Sequence, residues 1–178
     1  GIGSIGMYFF LRHQKISPAP SALGATLFTY SGFHVGHLNH VSFYTTTMLL
    51  PWLLLFLHNL ALKPSLKSSI YVIIISASMT LSGQPQIVLY SFLVAATWFV
   101  IIFTKSKSRF RLSFFLIISG LIAFCLASLA ILPLAEFLPS TERAYGLSVT
   151  ELLEFSYPPH HAITLILPYF FGNHNYYW

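Results

Sequence analysis

The side chains of this sequence suited to acid–base or anion-binding chemistry are unevenly placed. All four acids, Glu136, Glu142, Glu151 and Glu154, fall within residues 132–161, LPLAEFLPSTERAYGLSVTELLEFSYPPHH, and the chain has no Asp. The same stretch holds the isolated Arg143 and ends in His160 and His161. Glu136 follows directly on an apolar run, a place that suits a proton acceptor at the mouth of a helix bundle, or simply an interfacial carboxylate. Arg143 reads either as a surface ion pair with Glu142 or as a clamp for a lipid phosphate, since a guanidinium presents a planar fork to phosphate oxygens. Ser148-Val149-Thr150-Glu151 fits a capping box that opens a short helix stopped by Pro158-Pro159. That makes Glu151 a cap and Glu154 a solvated face residue, on a helix whose Leu152, Leu153 and Phe155 suit the bilayer surface.

Two uncharged polar turns complete the set. His34, His37 and His40 stand three residues apart, a spacing that puts imidazoles on one helical face. No carboxylate or cysteine lies beside them, so hydrogen bonding to a substrate or plain interfacial placement is favoured over a metal site. Gln84 and Gln86 flank Pro85 in a tight turn and could also touch a sugar or a headgroup. There is no phosphate-binding glycine loop and no nucleophile elbow. No cofactor is expected, and a divalent cation has no ligand set to support it.

The elements that must position these groups are helices in a membrane. Of 178 residues, 56% are hydrophobic and only 7% charged, far below the roughly one-quarter charged content of soluble domains. The apolar residues come in long uncharged blocks separated by basic clusters, the pattern of several spans. The net charge of +5 sits at block ends, which argues against a nucleic-acid stripe. Cys125 is alone, so an internal disulfide is excluded and a packing role expected.

The expected architecture is all-α, a polytopic transmembrane helix bundle of about five to six spanning or partly spanning helices. Residues 1–178 form one transmembrane region, with an outer loop at 135–161 carrying the short interfacial helix. Residues 1–11 read as the second half of a helix, with Gly3 and Ser4 on a face that approaches a neighbour closely. The next helices are expected over 20–33, 42–62 with a kink at Pro51, 68–81, 87–103 and 112–134. Residues 162–171, broken by Pro168, suit a re-entrant or interfacial piece. The absence of an initial Met and of a polar tail suggests an internal piece of a larger protein, whose remainder would be a partner of this region.

If the spans alternate, the turns at 12–15, 63–67 and 105–111 share one side and hold eight of the nine Lys and Arg residues. The positive-inside rule makes that side cytoplasmic. The histidine turn, the Gln-Pro-Gln turn and the acidic loop then share the outer face and are expected to meet there.

The segments GMYFFLR at 6–12, TYSGFHVGHLNH at 29–40, LSGQPQIVLY at 81–90, LPLAEFLPSTERAYGLS at 132–148 and LPYFFG at 167–172 run in order along nearly the whole chain. Together they resemble the YfhO-like family of bacterial membrane proteins, which look like GT-C class polyprenyl-phosphate-dependent glycosyltransferases. The resemblance implies a multi-pass enzyme of the bacterial cell membrane that takes a sugar from a polyprenyl-phosphate carrier to a cell-envelope acceptor on the outer face. Its catalytic acid would lie in an outer loop upstream of Gly1. The family's Gly-His-Pro-Gln turn reads Gly83-Gln84-Pro85-Gln86 here, and its Ser-x-Arg corresponds to Thr141-Glu142-Arg143. The implied binding set is Arg143, Glu142, His34, His37, His40, Gln84, Gln86 and His160, with Glu136 the candidate catalytic group. The alternatives are a transporter or lipid flippase, in which Glu136 or the histidines carry protons or substrate, and a non-catalytic membrane subunit.

Overall fold

The structure is a computed structural model that describes residues 1–106, 108–141, 146, 153, 158–167, 170–173 and 176–177. Seven α-helices are described: α1 Ile2–His13, α2 Pro18–Thr29, α3 Gly32–Gly36, α4 Val41–Leu62, α5 Leu66–Leu81, α6 Pro85–Lys105 and α7 Arg109–Phe137. Two 3-10 helices, Leu138–Ser140 and Pro159–Leu165, and an antiparallel pair of two-residue strands, β1 Gly172–Asn173 and β2 Tyr176–Tyr177, follow. The chain divides into two compact units, Gly1–Leu134 and Ala135–Trp178.

The first unit is a helix bundle built around α4. Helices α4, α6 and α7 are long and apolar enough to cross a membrane, and α5 is a shorter apolar helix. Half of the apolar window of α4 is buried, against 28% for α6 and 17% for α7. That ranking makes α4 the axis and α7 the helix with most side chains left facing outward. Lipid tails are as apolar as leucine, so the bundle must be held by close packing and interhelical hydrogen bonds. Both are present. A Cβ at Gly3 would come within 3.0 Å of the Met48 backbone, and one at Gly6 within 2.6 Å of the Trp52 indole nitrogen. These two glycines let α1 lie directly on α4, and the Trp52 indole N–H donates to the Ile2 carbonyl at 2.9 Å. Gly3 occupies the expected close approach, whereas the second contact is made by Gly6 and not by Ser4.

The contacts also fix which helix ends lie together. Gln14 reaches His58 at 3.2 Å and the Ser106 hydroxyl donates to the Ala61 carbonyl at 3.3 Å. The turns α1–α2, α4–α5 and α6–α7 therefore share one end, the basic end. Thr46 on α4 meets Ser82 beyond α5, and His34 on α3 meets Thr47 on α4 at 3.0 Å. The turns around α3 and between α5 and α6 thus share the opposite, histidine end.

Several boundaries differ from the expected ones. Residues 32–40 contain the helical turn α3. Helix α7 runs past Pro133 to Phe137. Pro159 opens a 3-10 helix, since a proline is well suited to the first position where its missing N–H has no partner to lose. Residues 162–171 begin within that seven-residue 3-10 helix, too short to cross a bilayer. The expected capping box at Ser148 and Glu151, and the surface helix after it, lie outside the described residues apart from Leu153.

Candidate functional site

His34 is a buried polar residue of the histidine end. It is 3% exposed. Its Nδ1 lies 2.6 Å from the Phe28 carbonyl and 2.9 Å from the Ser31 hydroxyl, and its Nε2 lies 3.0 Å from the Thr47 hydroxyl. A carbonyl can only accept, so Nδ1 carries the proton, while Nε2 faces the Thr47 hydroxyl, which also reaches the Phe43 carbonyl of its own helix at 2.9 Å. Phe28 belongs to the last turn of α2, and its carbonyl also takes the Ser31 N–H at 3.4 Å. His34 therefore caps α2 while joining α3 to α4, and its ring packs edge-on against Phe28, Phe33 and Tyr44.

The other two histidines do something else. His37 is half-buried and lies stacked between the rings of Phe33 and Phe43, 4.4 and 5.2 Å away, with Nδ1 donating to the Phe33 carbonyl at 2.8 Å. His40 is the exposed N-cap of α4 and sits 5.6 Å from His37, ring to ring. The three imidazoles do not converge on one point. No group of three or more potential metal ligands gathers among the described residues.

A cavity of about 270 Å³ opens beside His34, lined by Phe28, Phe33, Thr47, Leu50, Ile87, Tyr90, Ser91 and Val94 in addition to the histidine. Residues from α2, α3, α4 and α6 thus converge on it. Gln86, in the first turn of α6, donates to the Tyr90 hydroxyl at 3.1 Å, so the Gln-Pro-Gln turn reaches the cavity through Tyr90. Gln84 is the N-cap of α6 and half-buried. The turn closes because Gly83 adopts φ +85°, the left-handed conformation open to glycine at little cost.

On the other face of α6 lies a second feature. Three cavities of about 260, 340 and 510 Å³ share lining residues. Ser76, Phe92 and Gly120 border the first two, and Thr80, Val88, Phe92 and Ile131 border the last two. They form one apolar groove between α5 and α6 on one side and α7 on the other. Gly120, Ala123, Ala127 and Ala130 supply its α7 wall, small residues spaced so that they lie on one helical face. The groove ends at Gly83 and Pro85, in the same turn that leads to Tyr90.

The structure therefore brings His34, Gln84 and Gln86 to one end of the bundle, with the half-buried His37 and the exposed His40 beside them. Two of the three turns expected on one face meet there. Glu136 is exposed in the last turn of α7 and belongs to the second unit. In that unit, His160 and His161 pack against each other at 4.6 Å and against Phe171. Glu142 and Arg143 lie outside the described residues. Sequence reasoning passed over Thr47, Tyr90 and Ser91. The signal for Tyr90 was its position four residues after Gln86, one turn along the same face.

A family model described as 6-pyruvoyl-tetrahydropterin synthase related domain, membrane protein, matches residues 1–178. Neither a curated protein nor a solved structure matches the chain.

Proposed function

The chain belongs to the 6-pyruvoyl-tetrahydropterin synthase related family of membrane proteins, and from that premise we propose that it is part of a GT-C type integral membrane glycosyltransferase. It takes a sugar from a polyprenyl-phosphate carrier at the histidine end of the bundle. The observation that carries this reading is the apolar groove. Leu116 and Leu134, both in its wall, are 18 residues apart on α7, about 27 Å at the helical rise. That length approaches the roughly 30 Å depth of a bilayer's hydrocarbon core. A groove of that length and apolar lining suits one long hydrocarbon chain, and its end at the Gly83–Pro85 turn would leave the chain's polar terminus among uncharged hydrogen-bonding groups.

Roles follow from the chemistry. Gln84, Gln86 and Tyr90 offer donors and acceptors to sugar hydroxyls, and the faces of His37 and Phe43 offer a stacking surface. Arg143, with Glu142 beside it in sequence, supplies the cation for the carrier phosphate, and His160 a further donor. Glu136 is the candidate proton acceptor within this chain. The synthase named in the family's description would act on a polar heterocycle, and the mainly apolar linings of the two cavities at the histidine end fit a hydrocarbon chain better.

Gly120→Leu tests the reading. A Cβ at Gly120 meets nothing within 4 Å, so a leucine fits without displacing the backbone and fills the junction of two cavities. In the complete protein it is expected to leave the thermal unfolding midpoint unchanged and to lower transfer from the lipid-linked donor at least tenfold. Unchanged transfer at equal expression would remove the groove from the mechanism. Arg143→Ala is expected to lower transfer as well, and its failure to do so would remove the phosphate clamp.

A further inference from the structure

Residues 1–134 contain eight Lys and Arg and not a single Asp or Glu. Those eight cations are Arg12, Lys15, Lys63, Lys67, Lys105, Lys107, Arg109 and Arg111, and in sequence they cluster at 12–15, 63–67 and 105–111. No carboxylate of the bundle is there to balance them. Two of the guanidinium groups are held by the chain itself: Arg12 donates to the Ile16 carbonyl at 2.6 Å, and Arg109 donates to the Thr104 carbonyl at 3.0 Å while lying over the Phe103 ring. Lys63, Lys67 and Arg111 are exposed.

Between these turns is a cavity of about 420 Å³, lined by His58, Ala61, Leu62, Pro64, Ile102, Ser106 and Ser108. Its lining is divided. Ala61, Leu62 and Ile102 make an apolar wall, while His58, Ser106 and Ser108 bring polar groups to a region with no negative charge. Lys63 stands between two lining residues, and Arg109 follows directly on Ser108. His58 is braced on the side away from the turn, with Gln14 at its Nδ1 and the rings of His13 and Trp98 against its own at 4.8 and 5.7 Å.

We propose that this cavity seats the headgroup of an anionic phospholipid, with the phosphate among Ser106, Ser108 and the cations of the rim, and the first methylenes of its chains along Leu62 and Ile102. Two observations choose a membrane phospholipid over a dissolved phosphate. The cavity has an apolar wall that a free anion would not use, and it lies at the end of helices long enough to cross a membrane. Charge decides between anionic and zwitterionic lipids, because each Lys or Arg near the surface favours an anionic headgroup severalfold. The site stands apart from the groove and the histidine end, so it does not depend on the proposed glycosyl transfer.

The test is native mass spectrometry of the complete protein released from mild detergent with phosphatidylglycerol or phosphatidylcholine added. The expected result is retention of one phosphatidylglycerol at least fivefold better than phosphatidylcholine. Lys63→Gln is expected to lower that retention about fivefold, and Ser108→Glu, which puts a carboxylate on the cavity wall, to abolish it. Asn39→Asp, an exposed position at the histidine end, changes the net charge by the same amount as Lys63→Gln and is expected to have no effect. Equal retention of both lipids, or equal losses in Lys63→Gln and Asn39→Asp, would overturn the site in favour of a diffuse charge effect. Displacement by excess inorganic phosphate would overturn the lipid as occupant. Circular dichroism on each variant separates loss of the seat from loss of the fold.

Discussion

The two ends of the bundle are made by the same helices and are built differently. At the basic end the turns are short and cationic, and the helices are tied through His58, which meets Gln14, His13 and Trp98, and through Ser106 on Ala61. At the histidine end charge is absent from the turns, an extra helical turn is inserted, and one buried imidazole joins three helices. Charge suits an end that must stay at a membrane surface, since it is costly to move into hydrocarbon. Uncharged donors and acceptors suit an end that must accept a partly apolar ligand, because they can be desolvated at moderate cost once hydrogen-bonded.

That comparison can be broken at named residues. His34→Ala has the largest expected effect, a loss of about 2–3 kcal/mol, because it removes the bonds that join α2 and α3 to α4 and leaves a void among Phe28, Phe33 and Tyr44. Chemical unfolding in detergent would show it, and a loss below about 0.5 kcal/mol would mean that the imidazole does not join the helices. Thr46→Val removes the contact with Ser82 and is expected to cost about 1 kcal/mol, the scale of an interhelical hydrogen bond in a membrane. Gln14→Leu, its counterpart at the basic end, is expected to cost less, about 0.5 kcal/mol, since the surrounding rings keep His58 in place. An equal or larger loss there would reverse the ranking of the two ends.

The smallest and most specific pair concerns backbone shape. Gly83 at one end and Lys15 at the other both have positive φ, +85° and +65°. Gly83→Ala introduces a Cβ into that conformation and is expected to destabilise by about 1 kcal/mol, whereas Lys15→Gly is expected to stabilise by about 0.5 kcal/mol. Paired melting curves would check both signs.

The long helices were legible in the sequence because burial in lipid demands an uninterrupted apolar run, and α4 to α7 begin and end within a few residues of theirs. Pro51 lies inside its helix as expected, whereas Pro133, read as an end, is accommodated inside a helix that continues to Phe137. Helix α3 was hidden. Its five residues begin and end in glycine, and local propensity alone would not form it. What fixes it is His34 reaching across to α2 and α4, a tertiary bond that no periodicity records. The site was legible as a set of turns and not as a cavity: His34 and Gln86 announce themselves by type, while Thr47 and Tyr90 lie within apolar helices and acquire meaning only when those helices pack. The groove was least legible, because small residues on α7 look like ordinary packing positions until the neighbouring helices are seen to leave space beside them.

The most direct measurement is photolabelling of the complete protein with a polyprenyl phosphate that carries a diazirine in its chain, followed by mapping of the labelled residues. The account predicts labels concentrated on the groove wall, on Gly120, Ala123, Ala127 and Ile131 of α7 and on Phe92 of α6, and their loss in Gly120→Leu. Labels spread evenly over the outward faces of α6 and α7, unchanged by that substitution, would contradict it.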